Sequence, residues 1–485
     1  MRKTSGKALS DKQKEALSAV LKKIERCRKS RSKTLKIGYN GYLTVFPDEI
    51  RRLTWLTGLY VECTGIGILP EWIGELENLK VLDIHSNHKI RKLPASLGKL
   101  KHLKKLILGG TGIKKLPSCI GRIHSLELLD ISIHDIQEAP QCIVNLPALK
   151  RIETWNGDIS HLPALAAKQH ELNIIEAKRR IKNGKKNKSK KLDLSYLYTG
   201  ELPEELSELY WLEELDLTCN ALKQLPDWIG NYRKLTTLSL DSNELTSLPD
   251  SIGNLSKLKV ISLDLNHLST LPETFGNLKS LEAFVLWEDD NHPAAEKKYG
   301  QGSWFTCLPE SFGNLSSLKT FNVMATRLTS LPESFGNLTK LRELSIQECI
   351  TDDFHFPGTM KNLKALRELT LGGFNHVPDF VKELKDLTAL DISHNRLYDL
   401  PDFMGNLTKL KSLNLHSTWI KELPDWIGNL KNLEDLDISN NDIEVYPEMV
   451  KKLPKLKKFL GSYNIFNAGD NKKNNVTKRS KKKNV

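Results

Sequence analysis

The chain has 485 residues, 39% of them apolar and 27% charged, and 72 Lys and Arg against 59 Asp and Glu leave a net charge of +13. This composition excludes a collagen, a mostly disordered chain and a disulfide-stapled miniprotein. The positive excess raises nucleic acid, anionic lipid or an acidic partner as targets, and the choice among them depends on where the charges sit.

The N-terminal 33 residues hold twelve basic and three acidic side chains. They read as a basic tail and an amphipathic helix, with Ile24 eleven residues before Leu35. They lack an apolar stretch of signal-peptide length. No run of 18 apolar residues follows anywhere, so no membrane span is expected. Cys27, Cys63, Cys119, Cys142, Cys219, Cys307 and Cys349 form no Cys-x-x-Cys pair. They are expected to be reduced thiols filling core gaps. The reading is a soluble cytoplasmic protein.

From residue 34 the sequence repeats. The first Leu of Leu-x-x-Leu-x-Leu falls at Leu56, Leu79, Leu103, Leu126 and Leu149. It resumes at Leu212 and recurs, usually every 23 residues, to Leu456. Residues 235–249 show the unit whole: Leu235, Leu238, Leu240, Asn243, Leu245, Leu248 and Pro249. Leu-x-Leu is a short strand whose two Leu point to the same side. Asn220, Asn243, Asn266, Asn395 and Asn441 recur at one position and can satisfy the backbone of a buried neighbouring turn. Thr64, Thr111, Thr326, Thr418 and Cys349 replace Asn in other repeats. Pro ends one segment and opens a short helical one. One such unit cannot bury its apolar edge, but a stack shares one continuous core.

These motifs resemble the leucine-rich-repeat family over roughly 35–163 and 192–466. The Leu-Pro-x-x-Ile/Phe-Gly-Asn-Leu phrase is most similar to the Ras-group subclass, which includes plant intracellular members and an animal scaffold of the Ras–Raf pathway. The resemblance implies an α/β solenoid, a horseshoe with a parallel β-sheet on its concave face and short helices, 3-10 or irregular turns on its convex face. It further implies protein binding, with a small GTPase as one partner class, although fold alone does not fix function. The phosphatase-docking motif that precedes the repeats in the animal scaffold is missing from the first 33 residues.

The period breaks at residues 164–191, which carry ten basic and two acidic residues. The apolar residues from Leu172 to Ile181 fit one helical face. Two arrays are therefore expected, 34–163 and 192–466, each opened by a basic capping helix, with 467–485 as a basic disordered tail. Between Leu281 and Leu318 the step is 37 residues, so an insertion loop is placed near 288–304. Tyr299, Trp304 and Phe305 give that loop aromatic anchors of the kind interfaces use, or else pack it onto the solenoid.

Residues for chemistry are few. There is no Gly-x-x-x-x-Gly-Lys-Ser/Thr phosphate loop and no Gly-x-Ser-x-Gly elbow. His85 and His88 near Asp83, and Asp352, Asp353 and His355, match no metal framework. An enzyme, a cofactor and a metal are not expected. The residues flanking the inward strand Leu should face solvent on the concave side. There the candidates for protein contact are Glu153, Trp155, Asp216, Asp241, Asp264, Trp287, Asn322, Met324, Gln347, Asp391, His416 and Asp437. Trp72, Trp228 and Trp426 sit in the turn phrase instead and read as structural.

Charge distribution moves the balance of the opening question toward a protein partner. Residues 1–33, 164–191 and 467–485 carry +9, +8 and +6, which leaves −10 for the repeats. The expected function is a monomeric, non-catalytic scaffold binding a protein with a basic surface. Nucleic acid or an anionic surface bound by the basic segments is the alternative, as is a recognition arm working with a separate enzyme. Residues 478–483 also resemble a simple nuclear import signal.

Overall fold

A computed structural model describes residues 9–132, 136–154, 159–287, 305–348, 354–467 and 476–477. The chain divides into two units, Met1–Ile175 and Glu176–Val485. In the first, six parallel strands run in chain order from Thr34–Asn40 to Arg151–Glu153. Their register aligns Leu35, Leu59, Leu82, Leu106, Leu129 and Ile152. In the second, the described residues form twelve parallel strands from Lys191–Asp193 to Lys458–Leu460, and the pair Val476–Thr477 adds antiparallel to the last.

Most repeats are one strand followed by a five-residue 3-10 turn. Pro opens the turn because its fixed φ suits the first position and its missing N–H costs nothing there. In the Asp250–Asn254 turn, Pro249 leads with φ −69°, and the Ile252 N–H reaches the Pro249 carbonyl at 3.0 Å. The Gly of this phrase has a packing reason. A Cβ on Gly313 would collide with the backbone carbonyl of Ser334 in the next turn. Glycine is what lets successive turns stack at this spacing.

The core lies between strands and turns. Leu238, Leu240, Leu245 and Ile252 are all fully buried. Near the middle of the second unit phenylalanine replaces Leu and Ile. Phe275, Phe312 and Phe335 stack nearly parallel at 6.2 and 6.1 Å, and Phe284 stacks on Phe321 at 5.6 Å. Edge contacts of 5.1–5.9 Å lace the two rows together.

A row of buried side-chain amides runs beside this core. Asn243 donates through Nδ2 to the carbonyls of Leu217 (3.0 Å) and Leu240 (2.8 Å). Its Oδ1 accepts the N–H groups of Asn220 and Leu222, both at 3.1 Å. Each Asn thus closes backbone groups of two repeats. Asn464 belongs to the same row, eight residues after Leu456, and Asn87 takes the equivalent place in the first unit, eight residues after Leu79. The residue just before the row turns left-handed, as at Cys219 (φ 56°) and Ser242 (φ 54°).

Helix α1, Asp11–Ser30, starts with a reciprocal cap between Ser10 and Gln13 and ends at left-handed Arg31. Its buried Ala16, Val20, Ile24 and Cys27 join the core of the first unit. Helix α2, Pro163–Asn187, starts earlier than the apolar stretch from Leu172 suggests. Leu165 and Leu172 belong to the first core, and Ala177 and Ile181 to the second. Ile175, counted on the apolar face, is instead 55% exposed. Among the described residues no helix is long and apolar enough to cross a membrane. Cys27 and Cys119 are buried as expected, whereas Cys307 is exposed rather than filling a core gap.

Candidate protein-binding face

The outward side of the second sheet is built by alternation. In Ala283–Trp287, Phe284 and Leu286 point into the core and leave Ala283, Val285 and Trp287 outward. Trp287 is 45% exposed, and the strand register sets it beside Met324, which in turn sits beside Gln347. On the other side of Trp287, the Asp264 carboxylate accepts the Trp287 N–H at 2.9 Å. Asp241 repeats this one strand earlier and accepts the Asp264 N–H at 3.0 Å. Five sequence candidates are thereby brought into one row: Asp241, Asp264, Trp287, Met324 and Gln347.

Burial pushes the carboxyls of both Asp241 and Asp264 up from their ordinary value. Hydrogen bonds from Ser262 and the Asp264 N–H oppose this at Asp241, as the Trp287 N–H does at Asp264. A carboxyl with a raised folded pKa binds its proton more tightly in the folded chain. Its contribution favours folding below the unfolded pKa and is lost as pH rises through the folded one. Both charges therefore cost stability at neutral pH. Asp241→Asn and Asp264→Asn keep an oxygen acceptor and should raise the melting temperature at pH 7. The gain should vanish near pH 3, where the aspartates are already neutral. Thermal melts at the two pH values check this.

The other acidic candidates have a local task. The Oδ1 of Asp216, Asp391 and Asp437 accepts the N–H two residues later, at 2.9, 2.9 and 2.8 Å. Each forms a side-chain turn at the strand exit. Asn414 does the same for the His416 N–H at 3.0 Å. The second carboxylate oxygen is not needed for this turn, so negative charge remains on the face. Asn322 lies on the same face, half-buried in Thr320–Met324. His416 contacts the Ser439 hydroxyl at 2.8 Å, and its ring meets that of His394 at 5.1 Å. A shallow depression of about 310 Å³ lies over the later strands, lined by Glu368, Thr370, Asp391, Asn414 and Asp437 among others.

Glu153 lies on the last strand of the six-stranded sheet in the first unit, within the first array as expected, and is ion-paired with Arg151 at 3.1 Å. Phe305, open between a loop anchor and a packing role, takes the packing role and is fully buried, 6.5 Å from Phe284. It resumes the core after the insertion, in the place Leu245, Leu268 and Leu328 take in their repeats. Asp83, expected in solvent, is 6% exposed. Trp155, Tyr299 and Trp304 lie outside the described residues.

Trp72, Trp228 and Trp426 pack against the two cores or within them, and Trp72 donates to Asp48 at 2.7 Å. The sequence reading missed an exposed aromatic pair. Tyr398 meets Trp419 edge-on at 5.9 Å, and Arg396 lies 5.7 Å from the Trp419 ring. Both rings follow their strands rather than lie on them, so a register of strand positions passes them over. Ligand atoms of Glu62, Asp83 and His85 lie within 4.8 Å of one another and could hold a metal. Asp83 is already engaged there, accepting the His85 N–H at 3.1 Å and contacting its Nδ1 at 2.8 Å.

Residues 233–288 match a leucine-rich repeat family model, and residues 301–402 and 393–466 match a leucine-rich repeat region model. These matches fall on the stacked strands and turns described above. The fold is a leucine-rich-repeat solenoid. No curated protein matches the chain in sequence. Among solved structures, a leucine-rich-repeat protein of Leptospira interrogans is similar at 26% identity, covering 84% of this chain and 90% of its own, with a TM-score of 0.46. The leucine-rich-repeat ectodomain of the Arabidopsis thaliana receptor kinase GASSHO1/SCHENGEN3, in complex with Casparian strip integrity factor 2, is 24% identical. It covers 86% of this chain and 51% of its own, with a TM-score of 0.41. An internalin of Listeria monocytogenes is 16% identical over 93% of this chain and 94% of its own, with a TM-score of 0.30.

Proposed function

We propose that the chain is a non-catalytic scaffold that binds a protein partner across the outward face of its second sheet. Trp287 carries this reading. It is a large aromatic side chain held in solvent on a rigid strand, beside Met324, where other strands place small or polar residues. Aromatic anchors of this kind dominate binding energy at interfaces. The surrounding charge favours a basic partner surface, since the same face carries Asp216, Asp264, Glu368, Asp391 and Asp437. The Ras-group resemblance of the turn phrase supports a small GTPase as partner class and the cytoplasm as the place of action.

Affinity capture with purified variants tests this. Trp287→Ala should weaken partner binding by about 2 kcal/mol, roughly thirtyfold. Asp216→Asn, Asp391→Asn and Asp437→Asn keep the turn acceptor and remove charge. Combined, they should slow association at low salt and have little effect at high salt. Unchanged capture by all of these variants would exclude this face.

A further inference from the structure

The first unit holds a cavity unrelated to the second sheet. It has a volume of about 680 Å³ and is lined by His88, Arg91, Lys92, Leu93, Gly112, Lys114, Lys115 and Pro117. Two successive post-strand loops form it. The first is fixed by Asn87, which donates to the carbonyls of Val61 and Ile84 at 2.7 Å. The second is tied to the first by the Gly112 N–H, which reaches the Ile90 carbonyl at 2.9 Å. A Cβ on Gly112 would run into the carbonyl of His88, so the close approach of the loops needs glycine. The backbone frame of the cavity is therefore rigid, while the basic side chains on it are exposed.

Four lining residues are Lys or Arg and none is acidic. Lys115 is ion-paired with Glu138, which leaves Arg91, Lys92 and Lys114 as the main source of positive charge on the lining. Gathering cations on a concave surface focuses positive potential there. Arg offers a planar fork to phosphate oxygens, and Lys supplies point charge. One phosphate monoester would balance about two of these cations. Leu93, Pro117 and the aliphatic stems of the Lys side chains leave room for a carbon skeleton. We propose that this cavity binds a ligand carrying at least one phosphoryl group.

The source could be a soluble phosphorylated compound or a lipid headgroup, and the test separates them. Calorimetry of the full chain with sodium tripolyphosphate should show binding that weakens as salt rises. Sedimentation with vesicles containing phosphatidylinositol bisphosphate, against pure phosphatidylcholine, reports the headgroup. Arg91→Gln with Lys114→Gln should lower affinity in the positive arm by about tenfold or more. Lys259→Gln in the second unit should leave it unchanged. Binding in the vesicle arm alone assigns a headgroup, and binding of tripolyphosphate assigns a soluble ligand. No binding in either arm at low salt overturns the proposal. So does affinity that the cavity variant leaves intact or that Lys259→Gln lowers equally, while thermal melts confirm that each variant is folded.

Discussion

Replacing Phe312 with alanine is expected to destabilise the second unit by about 4 kcal/mol. The ring is fully buried and touches four others: Phe275, Phe284, Phe321 and Phe335. Two are stacked partners and two present edges, so truncation removes ring–ring attraction as well as apolar burial. Neighbouring turns are held at fixed spacing by the Gly313 approach, and collapse into the cavity is hindered. That loss is a large fraction of the 5–15 kcal/mol typical of a domain. Denaturant unfolding followed by circular dichroism measures it. Nearest-neighbour coupling predicts that the transition of the first unit stays where it is. A change below about 1 kcal/mol would mean that the aromatic rows are not a principal source of stability.

Asn243→Leu should cost a similar amount by a different route. The two side chains are close in size, so little cavity forms. What is lost is the acceptor of two buried N–H groups, on Asn220 and Leu222, whereas the Leu217 and Leu240 carbonyls keep the Nδ2 groups of Asn220 and Asn266. Each buried group left unpaired costs about 1–3 kcal/mol, and relaxation shares part of that cost, so a total of about 4 kcal/mol is expected. Asn243→Thr should cost about half as much. Thr418 shows why, since its hydroxyl donates to the Leu415 carbonyl at 2.9 Å and keeps an oxygen acceptor in the row. Hydrogen exchange at the Leu222 amide should rise in the Leu variant before exchange elsewhere in the unit. Equal stability of all three forms would remove the amide row from the account.

The repeat made most of the fold legible. Inward Leu at fixed spacing sets every strand register, because a one-residue slip would turn the whole apolar set to solvent. The same spacing places the amide row, and it extends to Asn464 and, in the first unit, to Asn87, which the five recurring Asn did not include. The insertion was harder to place. Fourteen extra residues after Leu281 hide that Phe305 resumes a core position, and its aromatic character reads equally as an anchor. Counting onward from Leu281 with the insertion included would have found it. The candidate face was legible as a set of positions but not in its tasks. Asp-Leu-Ser and Asp-Ile-Ser at strand ends look like partner-facing charge, yet each such Asp first closes its own turn. Tyr398 and Trp419 lie in loops, where no periodicity reports which way a ring faces.

The basic excess lies in the flanking segments, and the repeats are acidic. On the face of the second sheet that acidity surrounds one exposed tryptophan, an arrangement suited to a partner with a basic surface and an apolar cleft. Photo-crosslinking from Met324, beside Trp287 on the sheet face, against Asn277 on the turn side tests the location of binding most directly. The account predicts partner adducts from position 324 and none from 277. Adducts from 277 alone, or equal adducts from both, would contradict it.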